Sequence, residues 1–377
     1  MVILINLNKW DALNENEQTI YKLIKKDPFI SQQELADHLS LSRPSVANMI
    51  SGLVRKGYIL GKAYVLNEEM PVICIGGANV DRKFYIKDAL EWGTSNPIHS
   101  SQNAGGVARN VAENLGRLGL TATLLTTSGA DADWSFIKKE SLPYVNTEYV
   151  FQLPEETTGS YTAVLDETGE MVVGFADMDV YDKLTPETIH ERSAILSQAK
   201  CLVADLNCPK DTLDTLEDFA NNHDIPLALI TVSGPKMKRM PDNLSGITWL
   251  ITNRDETESY FDEKITSDED WQRAVQKYLD LGISNVVITS GAKGAMIGNA
   301  EEGIHHILSV KPAEIIDVTG AGDAFSSAVI YSWLEGDSLI EIGNAGVVNA
   351  VKTLESRFTV RQNLSAAQLQ NDLEELK

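Results

Sequence analysis

Apolar residues recur along this chain in two rhythms, and the change from one to the other falls in the polar break Asn67 to Pro71. Ahead of the break, Ile20, Leu23 and Ile24 recur at helical spacing. Ser31 followed by Gln32, Gln33 and Glu34 predicts a capping box, in which Glu34 reaches back to the Ser31 amide, and so a second helix through about Leu39. After the turn Ser40 to Ser42, the hydroxyl of Ser42 and Pro44 in the first turn predict a third helix through Arg55. Its spacing places Val46, Ile50, Leu53 and Val54 inward, and Lys56 and Gly57 end it. Tyr58 to Leu60 and Ala63 to Leu66 read as two short strands around Gly61 and Lys62.

Beyond the break the rhythm becomes short apolar runs alternating with helical patterns. Val72 to Ile75, Thr121 to Leu125, Cys201 to Ala204, Leu227 to Val232, Trp249 to Ile251 and Asn285 to Thr289 read as buried strands. Val107 to Leu118 and Trp271 to Leu281 read as helices. That alternation predicts an α/β fold with a mostly parallel central sheet covered on both faces, in which ligands bind at the carboxyl ends of the strands. Two stretches break it, Arg82 to Glu91 and Ser160 to Phe175, the second a hairpin with Gly169 in its turn. Such a hairpin is either a lid over a ligand site or an ordinary surface ribbon, and its apolar content predicts a covered face. The expected domains are residues 1–68 and 69–377.

Residues 1–70 balance 8 Lys and Arg against 8 Asp and Glu, so the whole deficit behind the net charge of -22 lies in the larger part. A broad acidic surface there argues against nucleic acid, and the neutral front segment leaves DNA binding open locally. Two short helices, a tight turn and a hairpin over residues 14–66 resemble the winged helix-turn-helix of bacterial regulators. By that resemblance Ser42, Arg43, Ser45, Asn48 and Lys62 would contact DNA; the alternative is an accessory helical module. Cys74, Cys201 and Cys208 show no metal-ligand spacing, so neither disulfide nor zinc is expected. No apolar run suits a signal segment or membrane span, and the expected location is the cytoplasm.

The run Asp317-Val-Thr-Gly-Ala-Gly-Asp323-Ala-Phe325 reads as a strand end at Ile315 and Ile316, a small-residue loop and the start of a helix over Ala324 to Leu334. Backbone amides at such a point form an anion nest reinforced by the helix dipole. An aspartate there can take a proton from an attacking hydroxyl, or it can simply cap the helix. Gly105 and Gly106 ahead of Asn110 are a second glycine turn feeding a helix, and no P-loop signature is present.

Gly105-Gly106-x-Ala108-x-Asn110-x-Ala112 with Gly119 and Gly129, together with Asp317-x-Thr-Gly-Ala-Gly-Asp323, resemble the two signatures of the ribokinase-like carbohydrate and nucleoside kinase family from about Pro71 onward. The resemblance implies a three-layer α/β/α fold with a β lid, and ATP as co-substrate. It makes Asp323 the catalytic base and Gly320, Ala321 and Gly322 the anion hole. Asn253 and Glu256 match an Asn-x-x-Glu element that organises Mg²⁺ and its waters; Asp317 and Thr319 match part of a loop that holds a monovalent cation such as K⁺. Thr289, Gly291 and Gly294 fall at the ATP site, with Asn207 and Lys236 as further phosphate contacts. Asn79 and Asp81, joined by Gly105, Gly106 and Asn110, match the sugar-hydroxyl site.

Gly77 to Asp81, Thr94 to Pro97, Gly105 to Asn110 and Val232 to Lys236 are similar to the pseudouridine kinase branch of that family, some bacterial members of which carry an amino-terminal helix-turn-helix. Ser95 and Asn96 would then face the base edge of a nucleoside, unless they only form a turn. Ribose, fructose and adenosine are the other acceptors, and a ligand-sensing regulator is the reading outside catalysis. Glu355-Ser-Arg-Phe departs from the expected Glu-Ser-Pro near the nucleotide. A homodimer through the lid ribbons is the implied assembly.

Overall fold

In the computed structural model, which describes residues 13–60 and 70–375, the chain opens with helices Glu15–Lys26, Gln32–Leu39 and Arg43–Arg55. Each starts on a side-chain cap. The Ser31 hydroxyl accepts from the Glu34 amide while the Glu34 carboxylate accepts from the Ser31 amide, and Ser42 caps the third helix ahead of Pro44. Ile20, Ile24, Leu35, Val46, Ile50 and Leu53 close a small core of their own. Val54, which the spacing places inward, is 45% exposed. At about 100° per residue, Val46, Ile50 and Leu53 fall on one narrow stripe and Val54 lies past its edge. The strands around Gly61 and Lys62 and the boundary between residues 68 and 69 lie outside the described residues.

The strands that follow are β1 (Val72–Ile75), β2 (Asn79–Ile86), β3 (Ile98–Gly105), β4 (Ala122–Leu125), β5 (Thr127–Gly129), β6 (Val145–Asn146), β7 (Phe151–Leu153) and β8 (Ser160–Leu165). After them come β9 (Met171–Asp177), β10 (Cys201–Asp205), β11 (Leu227–Ile230), β12 (Trp249–Asn253), β13 (Asn285–Thr289), β14 (Ala295–Asn299) and β15 (Gly303–Ile307). The main sheet runs in the order β15-β14-β13-β12-β11-β10-β1-β4-β6. It is parallel from β13 to β6, with β14 and β15 an antiparallel edge. In β1, Val72 and Cys74 enter one apolar layer and Ile73 and Ile75 the other. Both faces are therefore covered by helices, which is why the strands are apolar throughout instead of alternating. All three cysteines are free and buried.

A second sheet, β3-β2-β8-β9, stands over the carboxyl ends of the main one. The hairpin expected over Ser160 to Phe175 is its β8–β9 part, with Gly169 in the turn at φ 86°. The described residues do not supply the covered face expected for that hairpin, since Met171 and Phe175 are each 60% exposed on β9. As an edge strand, β9 has no neighbour beyond β8 among the described residues.

Ile315 and Ile316 are also exposed, and they belong to no strand. The amides of Ile316 and Asp317 both donate to the Leu354 carbonyl at the end of helix Leu339–Leu354, so a helix end, not a strand, carries this loop. Helix Ala321–Glu335 begins three residues earlier than its apolar pattern, which places Asp323 in its first turn. Among the described residues no helix is long and apolar enough to cross a membrane.

Candidate active site

The site is assembled on Asp205, the last residue of β10. Its buried carboxylate accepts from the backbone amides of Gly77 at 2.9 Å, Ala108 at 2.9 Å and Asn207 at 2.7 Å. These bonds join the turn after β1, the turn after β10 and the start of helix Val107–Arg117. Gly106 precedes that helix at φ 96°, against the Gly77 carbonyl and Ala78, where a Cβ would collide with backbone. Burial raises the Asp205 pKa, opposed by its amide donors and by Lys236.

Helix Val107–Arg117 carries Asn110, whose Nδ2 donates to Asp323 Oδ2 at 2.7 Å. The orientation of that amide is set from behind. Arg109 Nη1 donates to Asn110 Oδ1 at 3.0 Å and to the Ala104 carbonyl at 3.1 Å, and its Nε donates to Ser141 at 3.1 Å. Arg109 is itself ion-paired with Glu113, which also holds Arg117 at 2.8 Å, all of them buried. With its oxygen occupied, Asn110 presents only its NH₂ group to Asp323. Burial pushes the Asp323 carboxyl up to about 7; Asn110 and Arg109 pull it down, and the neighbouring Asp205 and Asp81 push it further up.

Across the cleft Asn79 donates to Asp81 at 2.6 Å, and Asn79 is paired in register with Gly105. A Cβ on Gly105 would overlap the Asp81 carboxylate, so glycine at this position keeps the space for it. Burial pushes Asp81 up to about 6, opposed by Asn79 and Lys83. Asn79, Asp81, Gly105, Gly106, Asn110 and Asp323 thus come together as one cluster.

Gly320, at φ 83° and pressed against the Thr359 carbonyl, leads into helix Ala321–Glu335. Among the described residues no side chain caps that helix; the Ala321 amide donates to the Val318 carbonyl at 3.5 Å, and the helix start carries the positive end of the dipole. Asp317 stands before them with Thr319 and Lys83. Lys83 Nζ lies 2.5 Å from Asp317 Oδ2 and 3.2 Å from Thr319 Oγ1, and Asp317 Oδ1 accepts from the Thr319 amide and hydroxyl. Burial works against ionisation of Asp317, yet Lys83 and Thr319 hold it below the usual carboxylate range. The residues assigned to a monovalent cation are therefore already engaged with an ammonium, and they do not fit that ion as they stand.

Asn253 and Thr289 are register partners at the ends of β12 and β13. Asn253 Oδ1 accepts from the Glu256 amide at 2.8 Å, and Glu256 Oε2 accepts from the Asn253 amide at 3.2 Å, from Thr252 at 3.3 Å and from Thr231. Gly291 and Gly294 form the turn after β13. Among the described residues no cluster of three or more His, Cys, Asp or Glu builds a metal cage. Lys236 donates to Asn207 beside Asp205.

Ser95 and Asn96 are not brought to this cluster. They lie in the loop joining β2 to β3 beyond the Ile86–Ile98 rung, at the opposite end of the hairpin from Asn79 and Gly105. The Asn96 amide is occupied by the Glu91 backbone and the Thr94 carbonyl, the closed-turn alternative for this segment. In the front domain Ser42, Arg43, Ser45 and Asn48 share the start of helix Arg43–Arg55; Arg43 and Asn48 are exposed, and Ser42 and Ser45 bond each other at 2.8 Å. Lys62 lies outside the described residues.

Sequence reasoning missed Asp205, Arg109 and Lys83. Asp205 had a signal, an acid closing an otherwise apolar strand in a covered sheet. Arg109 and Lys83 had none, because their partners are distant in sequence or set by the orientation of one amide.

A buried carboxylate with a raised pKa, an uncapped helix end beside it and a polar pair facing both are an arrangement able to take a proton from an alcohol beside a bound phosphate. The chain belongs to the pfkB family of carbohydrate kinases, whose model matches residues 71–363, and a winged helix-turn-helix DNA-binding model matches residues 13–59. It is 29% identical over 357 residues to the uncharacterized sugar kinase YeiI of Escherichia coli K12, covering 94% of this chain and 97% of that one. It is 30% identical to the pseudouridine kinase of the same organism, covering 80% of this chain and 96% of that one. A carbohydrate kinase structure from Agrobacterium tumefaciens superposes with a TM-score of 0.71 at 30% identity, covering 81% of this chain and 97% of that one. The protein is accordingly an ATP-dependent sugar or nucleoside kinase.

The raised carboxyl of Asp323 has two readouts. As a base it must be ionised, so kcat/KM is expected to fall about tenfold per unit of pH below about 7. As a buried acid it binds a proton in the folded chain that the unfolded chain has already lost, so the stability it contributes is present below about pH 4 and is lost as pH rises to about 7. Asp323→Asn should therefore raise the melting temperature over wild type at about pH 8, and by less at about pH 5. An equal effect at both pH values would remove the assignment.

Proposed function

We propose that this chain transfers the γ-phosphate of ATP to the 5′-hydroxyl of pseudouridine, giving pseudouridine 5′-phosphate. The observation that carries the chemistry is Asp323, held by Asn110 at an uncapped helix start and facing Asn79 and Asp81. The acceptor hydroxyl sits between Asp323 and the γ-phosphate. Its proton passes to Asp323 as its oxygen bonds to phosphorus and the bond to the β-phosphate oxygen breaks; Asp323 releases the proton afterwards. Amides at Gly320, Ala321 and Gly322 face the charge on the transferring group. Asn79, Asp81 and Asn110 orient the ribose.

Thr289, Gly291 and Gly294 line the nucleotide side, with Asn207 and Lys236 near its phosphates. Mg²⁺ would supply the positive charge that offsets the phosphates. Asn253 and Glu256, joined by their reciprocal capping bonds at the strand ends, suit a water-mediated hold on it.

The choice of pseudouridine is supported by the branch-like segments Gly77 to Asp81 and Val232 to Lys236 and by the Escherichia coli relative. Contact of Ser95 and Asn96 with the base is not part of the proposal. ADP formation across pseudouridine, uridine, adenosine, ribose and fructose tests it. Pseudouridine should be turned over with the highest kcat/KM, and rapid turnover of another acceptor without it rejects the assignment. Asp323→Asn should lower kcat by about 10³-fold or more with little change in acceptor binding.

The front domain, residues 1–68, is a DNA-binding module in this proposal, a reading favoured by exposed Arg43 and Asn48 at the start of a dipole-positive helix end. A mobility shift on DNA upstream of the protein's own coding region, weakened by Arg43→Ala, is the expected result; no shift at low salt would discard it.

The bare apolar residues of β9 are covered by a second copy in a homodimer joined through the lid sheets. Light scattering should give twice the 41.4 kDa chain mass, and Phe175→Asp should yield the monomer. A wild-type monomer at all concentrations would exclude it.

A further inference from the structure

Lys83 stands two residues beyond Asp81 on the same face of β2, since side chains on one face of a strand recur every second residue. Its place is well determined. β2 is bonded to β3 on one side and to β8 on the other, and Arg82, on the opposite face, pairs with Asp133 at 2.5 Å. Slipping the strand by one residue would send the lysine outward. From this position its ammonium reaches Asp317 Oδ2 and Thr319 Oγ1, and the pair is partly shielded, each side chain 22% exposed.

A monovalent metal ion at Asp317 and Thr319 would bring the same unit charge to the same oxygens. The two occupants exclude each other. Four aspartates, at 81, 205, 317 and 323, surround a cleft that must admit a polyphosphate, so an unpaired Asp317 would repel the incoming charge. A tethered ammonium meets that need without a free ion.

We propose that Lys83 is a built-in cation: its ammonium takes the place of a monovalent metal ion at Asp317 and Thr319 and makes phosphoryl transfer independent of K⁺. Because Asn79 and Asp81 open the same strand, the charge arrives at the anion-hole loop only when the lid sheet stands over the cleft. Acceptor position and loop charge are thereby joined by one strand. The proposal rests on the kinase reading and is independent of which acceptor is correct.

The test compares choline chloride with potassium chloride at equal ionic strength, using Mg·ATP and whichever acceptor of the panel is turned over. Wild-type rates should agree within about twofold, as expected for a site already filled. Lys83→Met should lose about 10²-fold in kcat in choline and regain at least about tenfold on adding K⁺. A readout free of turnover runs beside it: K⁺ over choline should raise the melting temperature of Lys83→Met and leave that of the wild type unchanged. Wild-type activation of about tenfold or more by K⁺ overturns the proposal, and so does a folded Lys83→Met that responds to K⁺ in neither rate nor melting. The wild-type comparison decides even where the variant fails to fold. If no acceptor of the panel reacts, the pseudouridine reading fails and the melting comparison still decides.

Discussion

One buried carboxylate ties together the chain segments that build the candidate site. Asp205 accepts from three backbone amides contributed by three chain segments, and charge-assisted bonds of this type are stronger than bonds between neutral groups. Helix Val107–Arg117 has only Gly106 at its start, with no side-chain cap of its own; the bond from the Ala108 amide to Asp205 does that work from another strand. The helix is thereby held at the turn after β1, and Asn110 is delivered to Asp323. The helix at Ala321 is treated in the opposite way. Its start has no side-chain cap among the described residues, and its dipole is left to a ligand. Two helix ends in one cleft thus divide the labour, one satisfied internally and the other open.

The cleft collects negative charge before any phosphate arrives, and each carboxylate is handled differently. Asp205 is met by amides, Asp317 by an ammonium and two donors from Thr319, and Asp81 by the Asn79 amide. Asp323, like Asp81, is met by a single neutral donor, and burial beside Asp205 and Asp81 pushes it up to about 7. A base titrating there is ionised often enough to act near neutrality and basic enough to take a hydroxyl proton in the transition state. Arg109 contributes without touching the cleft, since it fixes which end of Asn110 meets the base.

The parts legible in the sequence are those whose physics is local. The capping box at Ser31, the covered strands and the glycine turns at Gly106 and Gly320 are each determined by a few neighbouring residues, and they recur in the structure within a residue or two. β3 was not legible, because Ile98 to Gly105 is mostly polar and becomes a strand only by pairing with β2 along its whole length. Ile315 and Ile316 misled for the opposite reason: their apolar character serves an exposed loop instead of a strand. Within the site, glycine and acid motifs could be read from spacing. The pairing of Lys83 with Asp317, 234 residues away, could not.

One module is neutral and the other acidic, and that constrains how they can share one chain. In the described structure the front module touches the kinase domain where Gly57 meets Ser197 and Gln198. A neutral module that approaches DNA beside an acidic body gains little from long-range attraction. Its affinity must come from short-range contacts at the start of helix Arg43–Arg55, where the dipole and Arg43 act within about one Debye length of the phosphates. Repulsion from the acidic body acts over the same range and is screened by the same salt. Binding by such a chain would therefore depend less steeply on salt than binding by a basic domain with equal contacts, and selectivity would rest more on base contacts than on charge.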